Sequence, residues 1–292
     1  MFPVLGPMRL FASLLIGLAF PLTAFGLDNF GVPLNVQGLW WASPPGSESG
    51  WGVNIAQQGD TFMAAWFTYD ETGNATWYVM PDGLEKGHSE FLGPLYRVSG
   101  PSFTGAFDPS KVSATQVGDL DIAFADSSHA RFDATVNGAL VTKFIVPQIF
   151  ASPPLTCVTG GTPGSQPNYT DLWWKSPAGS ESGWGLFLTH QGDVIFAVWF
   201  TYDTDGKPVW FVGSNVAKTG NATYSGPLYR TFGPPFSASP WDPSRVSAMP
   251  VGSATLTFTD GSNGTFAHTV EGFGRTDAIT REVFASPPTV CN

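Results

Sequence analysis

The heptapeptide Gly-Ser-Glu-Ser-Gly-Trp-Gly stands at positions 46–52 and again, unchanged, at 179–185. Each copy sets one carboxylate, Glu48 or Glu181, three residues ahead of an indole, Trp51 or Trp184. A carboxylate so placed can move a proton, pair with a cation or accept a hydrogen bond from a ligand. A nucleophilic serine fits less well, because a G-x-S-x-G elbow needs serine at its centre, where glutamate stands. A histidine base is not shared either. With the heptapeptides aligned, His88, His129, His190 and His268 fall opposite Asn221, Asn263, Gln57 and Ala134. If both copies run one chemistry, Ser-His, Cys-His and zinc mechanisms drop out.

Other carboxylates recur: Asp60/Asp193, Asp70/Asp203, Asp108/Asp242 and Asp126/Asp260. Two within reach of each other would make a glycosidase-like acid and base, so a carboxylate-dependent hydrolase stays an alternative. Most, however, sit in turn-like settings such as Asp108-Pro109-Ser110, where aspartate is favoured for local backbone hydrogen bonds. Asp203-Thr204-Asp205-Gly206 looks like the start of a calcium loop, but no glutamate follows at loop position twelve and a hairpin turn explains both copies. No metal or cofactor is expected. Arg97 and Arg230 form the one basic position repeated with identity, and a Glu48–Arg97 ion pair or a shared ligand contact is the expectation there.

Tryptophan carries the strongest pattern. Trp40, Trp41, Trp51, Trp66 and Trp77 pair with Trp173, Trp174, Trp184, Trp199 and Trp210. Most should fill cores, while one or two per copy should face a surface or cavity. The glycines flanking Trp51 and Trp184 predict exposed rings that a ligand can approach, unless they mark a bulge. Candidate binding residues are therefore Glu48, Trp51, Trp41, Trp77 and Arg97, with Glu181, Trp184, Trp174, Trp210 and Arg230. Each copy also holds one cysteine, Cys157 or Cys291, after Phe-Ala-Ser-Pro-Pro. A bond between them requires both to lie near a pseudo-twofold axis; an intermolecular bond is the alternative.

What must position these groups is a duplicated unit. At an offset of 133 residues (Trp40 to Trp173), "LWWASPPGSESGWG" lies over "LWWKSPAGSESGWG", "WFTYD" over "WFTYD" and "GPLYR" over "GPLYR". One inserted residue later, "FDPSKVSA" matches "WDPSRVSA" and "FASPPLTC" matches "FASPPTVC". Repeat one spans 38–157, a Gly/Pro/Ser/Thr linker 158–170 and repeat two 171–292. In repeat one, short strands are expected at 38–43, 51–57, 61–69, 75–80, 90–98, 112–124, 130–137 and 143–150, with no helical period anywhere. About eight strands per unit predict an all-β chain of two small antiparallel meander barrels in tandem, with a β-sandwich as the alternative. The strand at 61–69 is apolar on both faces, so its outer face needs a loop, the sister copy or a partner to cover it.

The net charge of −10 and the lack of any basic cluster argue against nucleic acid. Arg9, the apolar run Leu10–Phe20 and Ala24-Phe25-Gly26 predict a cleaved signal peptide over 1–26 and a lead-in over 27–37. The run is too short to span a membrane comfortably, and no transmembrane segment is expected after its removal. A membrane-spanning barrel is disfavoured by the Pro-rich connections and irregular alternation. At "GLWW", "SGWG" and "WFTYD..G...W" the chain resembles tandem repeats of exported bacterial proteins of uncharacterised function. That resemblance covers both copies; it implies a bacterial exported protein and carries no known catalytic residues. Gly38-Leu39-Trp40 is also similar to the G-x-W of lipocalin-type barrels, where a late basic residue covers the Trp. There, Lys143 falls opposite Asp277 and Arg281 opposite Pro147, so the likeness is one of shape. The expectation is an exported, non-catalytic protein, periplasmic or extracellular, with two equivalent aromatic-lined sites for a glycan or apolar small ligand. The alternative is an envelope protein–protein module or inhibitor.

Overall fold

The structure, a computed structural model, describes residues 35–292 apart from 87–88, 163 and 165–166. The expected signal peptide, residues 27–34 of the lead-in and His88 lie outside the described residues. The first repeat forms β1 Gly38–Ala42, β2 Gly52–Gln58, β3 Thr61–Tyr69, β4 Ala75–Glu85, β5 Glu90–Ser99, β6 Ser113–Asp126, β7 His129–Val136 and β8 Ala139–Pro147. After β9 (Cys157–Thr159) the second repeats the plan. It runs β10 Asp171–Lys175, β11 Gly185–Gln191, β12 Val194–Tyr202, β13 Pro208–Gly220, β14 Thr223–Phe232, β15 Ser247–Phe258, β16 Asn263–Val270 and β17 Phe273–Arg281, then β18 Thr289–Cys291. Sequence neighbours pair antiparallel throughout each barrel. The first barrel closes with Trp41 opposite Val146, and the second with Trp174 opposite Thr280. Closure removes the free sheet edges, so the meander barrel holds and the sandwich does not.

The eighth strand departs from the expected 143–150. Asn137 and Gly138, at φ of 49° and 85°, reverse the chain in a two-residue hairpin, and pairing starts at once with Val136 opposite Ala139. Alternation on β3 then sorts side chains as the pleat demands. Phe62, Ala64, Trp66 and Thr68 are buried on the barrel's inner row, where Trp66 lies edge-on to Phe132 and Phe62 stacks on Phe91. Large rings fill each lumen, as an eight-stranded barrel of this size allows.

The outer row of β3 is covered by the sister barrel. Phe67 meets Phe200 and Trp210, and Tyr69 meets Trp210 and Trp241. Two indole N–H groups cross in opposite directions: Trp77 Nε1 donates to Thr201 O at 3.1 Å and Trp210 Nε1 to Thr68 O at 2.9 Å. Each barrel also sends the loop between its fifth and sixth strands into its sister. Phe103 N donates to Tyr202 O and its ring packs on Trp199 and Phe211; Phe236 N donates to Tyr69 O and its ring packs on Trp66 and Tyr78. This end of each barrel, which also carries the heptapeptide, is the plug end.

At the opposite, connector end the chain enters and leaves each barrel, and the exchange is reciprocal again. Gln58 accepts from the N–H groups of Phe284 and Ala285, while Gln191 accepts from those of Phe150 and Ala151. The two Phe-Ala-Ser-Pro-Pro segments thereby dock on each other's barrel. They lead to β9 and β18, which pair with Cys157 opposite Cys291, and these two cysteines are joined in a disulfide.

Candidate functional site

In the first heptapeptide Trp51 Nε1 donates to Glu48 Oε2 at 3.1 Å, and Lys143 Nζ sits 2.8 Å from the same oxygen. In the second, Trp184 Nε1 donates to Glu181 Oε2 at 3.0 Å, and Arg275 Nη2 lies 2.7 Å from Glu181 Oε1. Indole, carboxylate and cation are conserved as a geometry, but the cation has moved. Lys143 and Arg275 lie two positions apart on equivalent strands, both on the inward row. Where repeat one has Lys143, repeat two has Asp277, held by Arg275 at 2.7 Å and by Lys175. Swapping the sign at one position required a cation two residues along, because a buried carboxylate left unpaired is costly.

The expected Glu48–Arg97 pair is not formed. Arg97 is exposed and makes no ion pair among the described residues; its counterpart Arg230 bridges Asp203 at 2.6 Å and Glu271 at 2.7 Å and covers the Phe211 ring. The reason is register: Arg97 stands opposite Tyr78 and Arg230 opposite Phe211, and at the rim Arg230 meets Asp203 and Glu271, while the glutamates turn over the barrel mouth to Lys143 and Arg275 on the last strand.

The expected exposure of the Gly-Trp-Gly rings is also overturned. Trp51 is only 4% exposed and Trp184 only 8%. Trp51 packs against Phe132 and against Trp241 from the sister's plug loop, whose Nε1 donates to Ser49 O at 3.2 Å. The preceding glycines serve that contact. Gly50 and Gly183 have φ of +112° and +125°, and a Cβ there would meet Val246 and Val112 of the opposite barrel at 2.6 Å and 2.5 Å. The close approach seen at these glycines is by protein. About 0 Å³ remains open around Trp51 and about 10 Å³ around Trp184, room for one water at most.

The remaining candidates separate. Trp77 and Trp210 join the barrels. Trp41 and Trp174 are half-buried on the outer wall, each with a ring N–H that meets no acceptor among the described residues. The repeated aspartates act locally: Asp70, Asp108, Asp126, Asp242 and Asp260 accept from backbone N–H groups two residues on. Among the described residues no group of three or more His, Cys, Asp or Glu is placed to hold a metal, and no helix is long and apolar enough to cross a membrane. In the second barrel Arg281 lies 5.1 Å over the Trp173 ring, a late basic residue on the first-strand tryptophan.

Open space lies at the connector ends. A cavity of about 770 Å³ at the second barrel is lined by Tyr169, His190, Lys218, Tyr224 and Phe258 among others, and one of about 430 Å³ beside the first by Trp40, Ser128 and Leu155, with Thr189 of the second barrel, among others. Sequence reasoning set His190 aside because repeat one has Gln57 there. The signal that could have found it is the joint departure of three aligned positions: Val36, Gln57 and Phe91 become Tyr169, His190 and Tyr224. No family model, curated protein or solved structure matches the chain.

Proposed function

We propose that the chain is an exported, non-catalytic binding protein that takes a glycan or an apolar small ligand at the connector ends of its barrels. One observation carries the reading: the aromatic plug ends leave about 0 and 10 Å³ open, whereas the connector ends open to about 770 and 430 Å³. Cavities of that size suit small ligands. Two on one disulfide-linked chain would let it hold neighbouring units of a polymer. Export to the periplasm or beyond is supported by the signal-like segment 1–26 and by the disulfide, which persists in oxidising compartments. Against catalysis weighs the engagement of both heptapeptide carboxylates with an indole and a cation. Thermal-shift and calorimetric titration of soluble glycans and of fatty acids tests the reading, and a flat response across both panels would sink it.

A protein–protein module is the second reading, and Leu140 and Phe144 favour it. They stand 67% and 65% exposed on the outer face of β8, where repeat two has Gly274 and Ala278. A photo-crosslinker at position 144 should then trap a discrete envelope partner that one at position 278 does not.

A further inference from the structure

The geometry points to a binding site for a neutral carbohydrate at the connector end of the second barrel, built on Tyr224 and on the His190 that orients its hydroxyl. This rests on the reading of the chain as a binding protein and names the ligand class and the residues.

His190 Nδ1 accepts from the Tyr169 N–H at 3.3 Å, so the neutral ring carries its proton on Nε2. Burial keeps the ring neutral, pushing its pKa down to about 4. Nε2 lies 3.1 Å from the Tyr224 hydroxyl, which therefore accepts from it and keeps its own proton to donate. Burial likewise holds that phenol in its protonated form, its pKa raised to about 12. No other group among the described residues receives the Tyr224 proton, and Tyr224 lines the 770 Å³ cavity. The imidazole thus turns Tyr224 into an oriented donor at the cavity floor.

The rim supplies the complement. Lys218 Nζ gives one proton to Asp193 Oδ1 at 3.0 Å, which leaves further ammonium protons and the second carboxylate oxygen. Asn221 adds an amide, and Tyr169, stacked on Phe258 at 3.6 Å, gives the floor an apolar base. An apolar ligand would bury the Tyr224 hydroxyl, Lys218 and Asp193 without replacing their water, at about 1–3 kcal/mol for each such group. An anion would face Asp193 and Asp260 against a single, already paired Lys218. A sugar offers acceptors to Tyr224 and Lys218, donors to Asp193 and a C–H face to the ring floor.

The fold does not require this polar set. Repeat one has Val36, Gln57, Phe91 and Phe124 at the equivalent positions, and there Gln57 Oε1 accepts from Val36 N at 3.0 Å, the backbone task of His190 Nδ1. What repeat two adds is the Nε2–Tyr224 contact and the hydroxyl it orients.

Isothermal titration of the full disulfide-bonded chain with neutral gluco-, xylo- and chito-oligosaccharides, and with their monosaccharides, tests the site. Tyr224→Phe and His190→Gln install repeat-one residues, so the variants should fold. Each should weaken oligosaccharide binding about tenfold or more, the scale of one hydrogen bond to a bound ligand. Met249→Ala, an exposed residue at the plug end of the second barrel, should leave it unchanged. Sugar binding that ignores Tyr224→Phe, or that falls equally with Met249→Ala, overturns the inference. Binding of fatty acids alone overturns it too while sparing the broader reading; no binding of either class ends both.

Discussion

Lys143 and Arg275 show how one side-chain geometry survives a change of residue. Each neutralises the glutamate that accepts from its heptapeptide indole, with Lys143 and Glu48 side chains 16% and 22% exposed. Lys143→Asp should therefore destabilise the chain by about 2–4 kcal/mol, because Glu48 would then face a second carboxylate. Adding Val141→Arg puts a guanidinium where repeat two has one and should recover most of the loss. Denaturant midpoints of the single and double variants decide it; a rescue of nothing would mean that the two loops are not equivalent. Titration gives a second expectation. Burial, helped by Asp171, raises the Glu282 pKa from 4.5 to about 7. The folded chain therefore binds the extra proton between those values, so the stability owed to it is complete below 4.5 and lost as pH rises through 7. Repeat one has Gln148 at this position. Glu282→Gln should leave stability unchanged near pH 4.5 and raise it by about 1–3 kcal/mol at pH 8. His190 works the other way: held at about 4 against 6.5, it contributes fully above 6.5 and its share is lost as pH falls towards 4. His190→Gln should flatten that acid limb in the same unfolding series.

At the scale of elements, the plug loops decide what the mouths can do. Phe236 reaches from the second barrel to Trp66 and Tyr78 of the first, so Phe236→Ala should cost about 3–5 kcal/mol, the range for a buried Phe, and Phe103→Ala a similar amount. Either change should also open a space beside the neighbouring heptapeptide, detectable as a shift in tryptophan fluorescence. The strands themselves were largely legible in the sequence, because alternation and turn residues are local signals: β3 and β5 read directly from their own residues. The doubly apolar Thr61–Tyr69 even announced a covered outer face. What covers it was not legible, nor was the burial of Trp51, since both depend on residues of the other repeat, far along the chain. Gly50 reads alike whether a ligand or Val246 comes close to it. The connector-end cavity was hidden for a related reason. Looking for chemistry common to both repeats discards the positions where they differ, and Tyr169, His190 and Tyr224 are such positions.

For the whole molecule, reciprocity is the organising fact. Plug for plug, indole for indole and glutamine for glutamine, each barrel completes the other, so neither surface is finished alone. Burial of Phe67, Tyr69, Trp77, Phe200, Tyr202 and Trp210 across this contact resembles a core more than a domain boundary. The two barrels should then unfold as one: calorimetric and van't Hoff enthalpies should agree, and fluorescence and circular dichroism should report one midpoint. Two separable transitions would show that the contact is weaker than either barrel's own core. The disulfide acts on the same equilibrium from the unfolded side. Cys157 and Cys291 are 134 residues apart, and releasing a loop of that length should lower stability by about 3–5 kcal/mol, most of it through the entropy regained by the unfolded chain. Because the barrels are already joined by docked loops, reduction should lower the midpoint without splitting the transition. A reduced chain melting in two steps would instead assign the coupling to the bond, leaving the exchanged aromatics as packing only.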